Sequence, residues 1–476
     1  MTRIKRLLTR PSFAGNAALL ASSTILGQGL VILVQPLLTR MYRPEDFGLL
    51  ALYTSILSLA AVVLNLRYEQ AIQLPKEETE ARNLLVLSLV LGLGSSVLIG
   101  VAFILLRQTL SGWFGIMLPV WFAWLVLLGL ACVALMQAGS MWALRLSRFG
   151  VLAQTKFQQG LWQALGQMLP GLFSLGSGGL ILGDVLGRLG GVHALVRLWP
   201  RTLQGITAQS LYHVAHRYRS FLIYGTGAAL LTAASFHLPF IVLTAFFGAA
   251  AMGQFSLSYR ITTIPVTLVA QSIGQVFFSR AAAARDTPAL AQLTERTAAV
   301  LFALGLPVFG ALWVVAPVAF PLVFGANWDE AGRYAQLLAP YLLFSMVAQP
   351  LSNLLTIREW QRGLLAFTIF ELLLRMGAIY WGVTTQQMYW AVVLFALSSL
   401  LVALLSMGLF FRAAGASWQG FWLKVRKYVW FDLLSLLLLW GAGYWLKGWW
   451  WVGAAVLVVF LLLLRSFVEI RREGLE

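Results

Sequence analysis

Uninterrupted apolar runs of bilayer-crossing length recur from Ala17 to Leu464, and this repetition limits the chain more than any other feature. A helix needs about 20 apolar residues to cross a hydrocarbon core roughly 30 Å thick. Inside lipid, backbone polar groups must be satisfied within the segment, which an α-helix does. The composition is 60% hydrophobic and only 11% charged, whereas a water-facing domain carries about a quarter of its residues charged. The sequence therefore reads as an all-α polytopic membrane protein with no soluble domain of useful size.

The runs place spans near 17–38, 48–73, 84–106, 116–142, 149–174, 178–199, 220–246, 251–278, 297–324, 332–356, 362–383, 388–411, 428–446 and 449–465. That is about fourteen transmembrane helices, with twelve the nearest alternative. Of the 34 Lys and Arg residues, four lie inside spans and five (Arg40, Arg43, Arg107, Arg333, Lys447) fall in loops on one side, leaving 34 − 4 − 5 = 25 for the other. Cytoplasmic loops hold the basic excess, so both termini are expected in the cytoplasm. The opening Arg3, Lys5, Arg6 and Arg10 precede an apolar run too long for a cleavable signal. The formal charge of +17 lies between spans and does not argue for nucleic acid.

The longest polar break, residues 200–220, splits the first twelve spans six and six, as in a duplicated transporter. The expected organisation is an N-terminal six-helix lobe at 1–200, a cytoplasmic linker at 201–219 and a C-terminal six-helix lobe at 220–414. An additional hairpin with a cytoplasmic tail occupies 415–476. A faint echo between the segments opening at Phe47 and Met252 fits two pseudo-symmetric lobes.

Four cations lie well inside spans: Lys156, Arg188, Arg260 and Arg375. Each costs about 2.5 to 3.5 kcal/mol near a bilayer centre on insertion scales, so their retention points to a wet, positively charged central cavity. Span six carries glycines at 179, 183, 187 and 191, a stripe that lets a neighbouring helix approach. Beside it Asp184 and Arg188 are four residues apart and can pair on one helix face. Span eleven repeats the device with Glu371 and Arg375. Arg260 has no acid in its own span. Lys156 belongs to an amide-rich span that includes Gln154, Gln158, Gln159, Gln163 and Gln167. Lipid cannot satisfy those amides, so the helix is expected to line protein or water. Arg67 and Glu69 sit at the inner end of span two, where snorkelling explains them equally well. Asp184, Glu371 and Glu69 are candidates for a coupling proton or sodium ion, and structural counter-charges account for them equally.

Other features carry less. Cys132 is the single cysteine and forms no intrachain disulfide. His213 and His216 have no carboxylate or thiol company, so no metal site is expected. Pro265 and Pro350 are the most central of the span prolines and read as kinks, and His237 beside Pro239 could meet a cavity. No P-loop, nucleophile elbow or zinc-protease motif is present. No enzyme activity and no cofactor is expected, and the outer loop with Asp329 and Glu330 is too short for an enzyme domain.

The block Gln35-Pro36-Leu37-Leu38-Thr39-Arg40-Met41-Tyr42-Arg43-Pro44-Glu45-Asp46-Phe47-Gly48, with Arg67-Tyr68-Glu69-Gln70 downstream, resembles the opening of Wzx-like bacterial polysaccharide flippases. These belong to the multidrug, oligosaccharidyl-lipid and polysaccharide exporter superfamily. Trp142-Ala143-Leu144-Arg145 and Gly274-Gln275-Val276-Phe277-Phe278 extend the resemblance. It implies alternating access of two six-helix lobes in a bacterial inner membrane, with an undecaprenyl-pyrophosphate-linked oligosaccharide as cargo for O-antigen, lipopolysaccharide or related surface glycans. Membrane lipids, a polysaccharide polymerase and glycosyltransferases are the partners it suggests. By motif it adds Arg67 and Glu69, and by position Arg145, to the cations expected to meet the pyrophosphate. The rival readings are an ion-coupled multidrug exporter of the same superfamily and a membrane glycosyltransferase or polymerase. The first should favour cavity carboxylates, but basic residues outnumber acids inside these spans; the second usually needs a large outer loop.

Overall fold

A computed structural model describes residues 13–200 and 206–472, and every long element is helical. The basic residues Arg3, Lys5, Arg6, Arg10 and Arg201 lie outside the described residues. The chain divides into two compact units, Met1–Met252 and Gly253–Glu476.

In the first unit, α1 runs Phe13–Met41 and α2 runs Pro44–Leu64. The turn between them follows from its sequence. Pro44 supplies a fixed φ at the first helical position, and Asp46 Oδ2 accepts from the Arg43 amide at 2.9 Å. α2 stops at Leu64, nine residues before the expected end at 73, because Leu66 and Arg67 adopt φ of 49° and 65°. After the short α3 (Tyr68–Ala71) come α4 (Glu78–Phe114), α5 (Val120–Arg145), α6 (Phe149–Leu172), α7 (Gly176–Val196) and α8 (Ala208–Arg217). α9 (Thr226–Thr262) joins two helices across Gly248, whose φ of 78° marks the kink. The unit boundary at Met252 falls later than the polar break at 200–220, and the linker packs on the first unit. The Tyr68 hydroxyl donates to Ala215 O at 3.0 Å, and Arg217 pairs with Glu80 at 2.7 Å.

The glycine stripe sets the packing of α6 on α7. Cβ atoms on Gly183 or Gly187 would collide with Gln167 or Gln163, so the backbones close to a distance that only glycine allows. α6 also packs on α1, with Gly160 facing Gly27 and the Tyr42 hydroxyl donating to Gln167 O at 2.7 Å. Residue numbers rise together along α1 and α6, so the two run parallel, as the first and fifth spans of an alternating topology must.

The second unit continues with α10 (Ile264–Ala283), α11 (Ala289–Phe324) and a 3₁₀ turn at Ala326–Trp328. It goes on through α12 (Asp329–Leu351), α13 (Asn353–Ile357), α14 (Gln361–Thr384), α15 (Met388–Ala414), α16 (Trp418–Ala442) and α17 (Trp449–Arg472). The expected span 251–278 breaks before Ile264, with Pro265 in the first turn of the new helix. The last hairpin seats Leu436, Leu439 and Ala455 against Ala311, Val314 and Val315 of α11. Glu295 fastens its start, taking Lys424 Nζ at 2.6 Å and the Ser417 amide at 2.9 Å.

A duplication is written into the helix boundaries. α6 and α14 begin 361 − 149 = 212 residues apart and end 384 − 172 = 212 apart, and α7 and α15 begin 388 − 176 = 212 apart. Even the left-handed turn residues keep this offset, Ser147 with Glu359 and Ser174 with Gln386, at φ between 54° and 58°. Among the described residues, 11 helical runs are long and apolar enough to cross a membrane. The difference from about fourteen arises at three places. α6 is too polar to qualify, Val429–Ala442 is short, and Ala229–Ala283 counts as a single run although it contains the Gly248 kink and the break before Ile264.

Candidate functional site

On α6, Lys156, Gln159, Gln163 and Gln167 follow at i, i+3, i+7 and i+11, one stripe of the helix. α7 lies against this stripe with Asp184 and Arg188 beside its glycines. Arg188 Nε donates to Asp184 Oδ2 at 2.6 Å, and Gln163 Nε2 donates to Asp184 Oδ1 at 3.3 Å. Both carboxylate oxygens are therefore engaged, and the Asp184 side chain is only 8% exposed against 20% for Arg188. Lys156 is exposed, has no carboxylate partner among the described residues and lies close enough to Arg188 to feel its charge. The result is a patch with two cations, one neutralised and one not, flanked by amides. Such a patch presents charge-assisted donors to an anion and neutral donors and acceptors to hydroxyl groups.

Around it are polar atoms that sequence reasoning did not single out. Among the described residues, Gln35, 1% exposed beside Pro36, has both amide atoms buried without a hydrogen-bond partner, and the Tyr53 hydroxyl near Asp184 and Arg188 is also buried and unpartnered. Gln35 could have been found: an amide inside an apolar run needs a partner. Tyr53 gives no such signal.

In the second unit, Glu371 Oε1 accepts from Arg375 Nη1 at 2.7 Å, with Arg375 4% and Glu371 17% exposed. Tyr259 and Tyr341 lie near this pair. Shifted back by the 212-residue offset of the repeat, Glu371 and Arg375 fall on Gln159 and Gln163. Each repeat thus carries an acid–base pair in its fifth or sixth helix, on α7 in one and α14 in the other. Arg260 is half-buried in the last turn of α9 and is engaged within the fold.

Arg67, Glu69 and Arg145 gather away from the α6–α7 patch, in the loop after α2. Arg145 Nη1 and Nη2 each donate at 2.8 Å, to Ile72 O and Pro75 O. Its guanidinium is spent on holding this loop rather than on display to a cavity. Arg67 sits in the left-handed region, and Gln70, turned so that its oxygen faces the guanidinium, accepts from Nη1 and Nη2 at 3.2 Å. Glu69 is 4% exposed. Burial pushes its carboxyl above the ordinary carboxylate range, while its own backbone amide and Arg67 oppose the shift. Nearby, a polar pocket of about 860 Å³ opens between the start of α4 and α8, lined by Lys76, Glu80, His213 and Arg217. Among the described residues no group of three or more His, Cys, Asp or Glu is arranged to hold a metal.

Long apolar helices, a repeated helix pair, a terminal hairpin and charges held among the helices define a multi-pass membrane protein. About 97% of the chain superposes on 99% of the lipid II flippase MurJ in an inward closed conformation, at TM-score 0.74 and 12% identity. About 83% superposes on 95% of an inward-facing multidrug resistance MATE family transporter of the MOP superfamily, at TM-score 0.62 and 15% identity. At such identities the likeness is one of fold. The succinoglycan biosynthesis transport protein ExoT of Rhizobium meliloti (strain 1021) is 24% identical over 338 residues. That match spans 65% of this chain and 62% of ExoT, so less than two thirds of the relative is covered. Residues 37–333 match the polysaccharide biosynthesis protein family, and the chain belongs to that family. The exporter resemblance read from the Gln35 and Arg67 blocks and the helical multi-pass fold are borne out.

Proposed function

We propose that this protein is a flippase that moves an undecaprenyl-pyrophosphate-linked oligosaccharide from the cytoplasmic to the outer leaflet during surface polysaccharide synthesis. The observation that carries the reading is the α6–α7 patch, where Lys156 stands without a counter-ion among the described residues, beside Arg188 and a row of amides. A diphosphate needs several charge-assisted donors, and a glycan of neutral sugars needs amide partners for its hydroxyls. The polysaccharide family and the fold shared with a lipid II flippase support the same cargo class. Access would alternate by movement of lobe 1–200 against lobe 220–414 in the bacterial inner membrane, with both termini cytoplasmic. Asp184 and Glu371, each holding an arginine, would release it when they bind a proton or sodium ion, which couples ion entry to cargo release. Arg260 and Arg375 would serve the second repeat as Lys156 and Arg188 serve the first, while Arg67, Glu69 and Arg145 shape the loop at the entrance.

Deleting the gene and extracting lipid-linked glycans tests the reading. Accumulation of a completed undecaprenyl-pyrophosphate oligosaccharide with loss of surface glycan is expected. Unchanged surface glycan together with increased drug sensitivity would favour the multidrug exporter instead.

A further inference from the structure

Tyr53 is a buried polar group that the transport cycle proposed above leaves idle. It is 0% exposed in the middle of α2, its ring edge-on to Phe122 of α5 with 6.2 Å between centroids. A Cβ at Gly129 of α5 would collide with the Tyr53 hydroxyl, so α5 leaves room for that oxygen where any larger residue would fill it. The hydroxyl lies near Asp184, Arg188 and Cys132, yet among the described residues it has no hydrogen-bond partner. Buried hydroxyls normally have one. A vacant hydroxyl beside an ion pair points to a second arrangement of that pair in which the hydroxyl is used.

The groups facing Asp184 decide which ion produces that arrangement. Arg188 Nε donates to Oδ2 at 2.6 Å, and Gln163 Nε2 donates to Oδ1 at 3.3 Å. Lys156 of α6 adds a second cation close to Arg188, and Cys132 of α5 is a buried thiol near both members of the pair. Asp184 is thus met from α6 and α7 by N–H donors and positive charge. Hard metal cations are held by several oxygens at once. A sodium ion would have to displace both donors and settle beside two cations.

A proton needs neither change. On Oδ1, the more loosely held oxygen, it makes a neutral carboxylic acid whose O–H needs an acceptor. The nitrogens of Arg188 and Gln163 that face the carboxylate are donors, whereas the Tyr53 oxygen has lone pairs to offer. The phenol keeps its own proton, and Asp184, its charge gone, no longer holds Arg188. In the second unit the comparable hydroxyl is taken: Tyr259, near Glu371 and Arg375, is hydrogen-bonded to Tyr341.

We propose that Asp184 is a proton site rather than a sodium site, and that Tyr53 is the positioning residue whose hydroxyl accepts the acid O–H of neutral Asp184. The inference rests on the coupling role given to Asp184 and adds the identity of the ion.

Infrared difference spectra of the purified full chain in liposomes, without cargo, test it. Acidification from about pH 8 to about pH 4 in potassium chloride is expected to produce a carboxylic-acid carbonyl band that is lost in Asp184→Asn. Asp184→Glu, which keeps the charge, assigns the same band by displacing it should the Asn variant not fold. In Tyr53→Phe, which keeps the ring against Phe122, the band should move to higher wavenumber because the acid O–H has lost its acceptor. Exchanging potassium for sodium before acidification should leave the Asp184 carboxylate bands unchanged. No Asp184-dependent acid band over this range, an unmoved band in Tyr53→Phe, or a sodium-induced change that the Asp184 variants alter would each overturn the proposal. Because no cargo is present, these outcomes are independent of which lipid the protein moves.

Discussion

Replacing Asp184 by Asn removes one charge and little else. The amide keeps an oxygen for Gln163 but cannot balance Arg188, which now donates at 2.6 Å to Oδ2 from a side chain only 20% exposed. Stranding one member of a buried pair costs about 3 to 5 kcal/mol. Since Arg188 retains some access to polar surroundings, the lower part of that range, about 3 kcal/mol, is expected. Arg188→Gln alone should cost a similar amount by stranding Asp184. The double variant Asp184→Asn/Arg188→Gln removes both charges together and should recover most of the loss, because two neutral amides can hydrogen-bond to each other. Unfolding free energies of the purified protein in mixed micelles, arranged as a double-mutant cycle, give the coupling directly. A coupling below about 0.5 kcal/mol would mean that the two side chains do not depend on each other, and the account of how the patch is held would fail.

Further expectations concern the frame around the patch. Gly187→Leu should destabilise by about 1 to 3 kcal/mol, since a Cβ would stand 2.7 Å from Gln163 Cβ and force α7 from α6; equilibrium unfolding measures it. Arg145→Ala should free the carbonyls of Ile72 and Pro75 and cost about 2 kcal/mol. Arg145→Lys should rescue only in part, because one ammonium lacks the fork geometry, and limited proteolysis across 72–76 should report both changes. Burial raises the Glu69 carboxyl. The folded state therefore favours its protonated form, and that stabilisation is complete below the ordinary value of about 4.3 and lost as pH rises through the elevated folded value. Glu69→Gln should remove this decline from a stability profile taken between pH 4 and 8, whereas an identical decline in the variant would contradict the assignment.

The helices were largely legible because lipid enforces long apolar runs, and the two acid–base pairs were legible because four-residue spacing puts both partners on one helix face. The glycine stripe of α7 was visible for the same reason, although its partner α6 was not named by any local signal. What escaped the sequence depends on contacts distant along the chain. Arg145 looked like a cavity cation, but its position opposite the 72–75 carbonyls is set by how α5 meets a loop about 70 residues earlier. The early end of α2 could not be read either, because Leu66 and Arg67 in left-handed conformations have no glycine to announce them. The 212-residue repeat was hidden for a different reason: it is kept in helix boundaries and turn geometry, while side chains such as Gln163 and Arg375 have diverged.

The central claim is that Lys156 meets the diphosphate of the cargo. Losing one charge-assisted contact of about 1.5 to 3 kcal/mol should weaken the interaction roughly 10- to 150-fold. The direct measurement is translocation of a labelled undecaprenyl-pyrophosphate oligosaccharide by the purified protein in liposomes, set beside the same lipid carrying a monophosphate. Transport of the diphosphate is expected to fall by that factor in Lys156→Ala, to return in Lys156→Arg, and to exceed transport of the monophosphate in the unaltered protein. Equal transport of both lipids, undiminished in folded Lys156→Ala protein, would contradict the account.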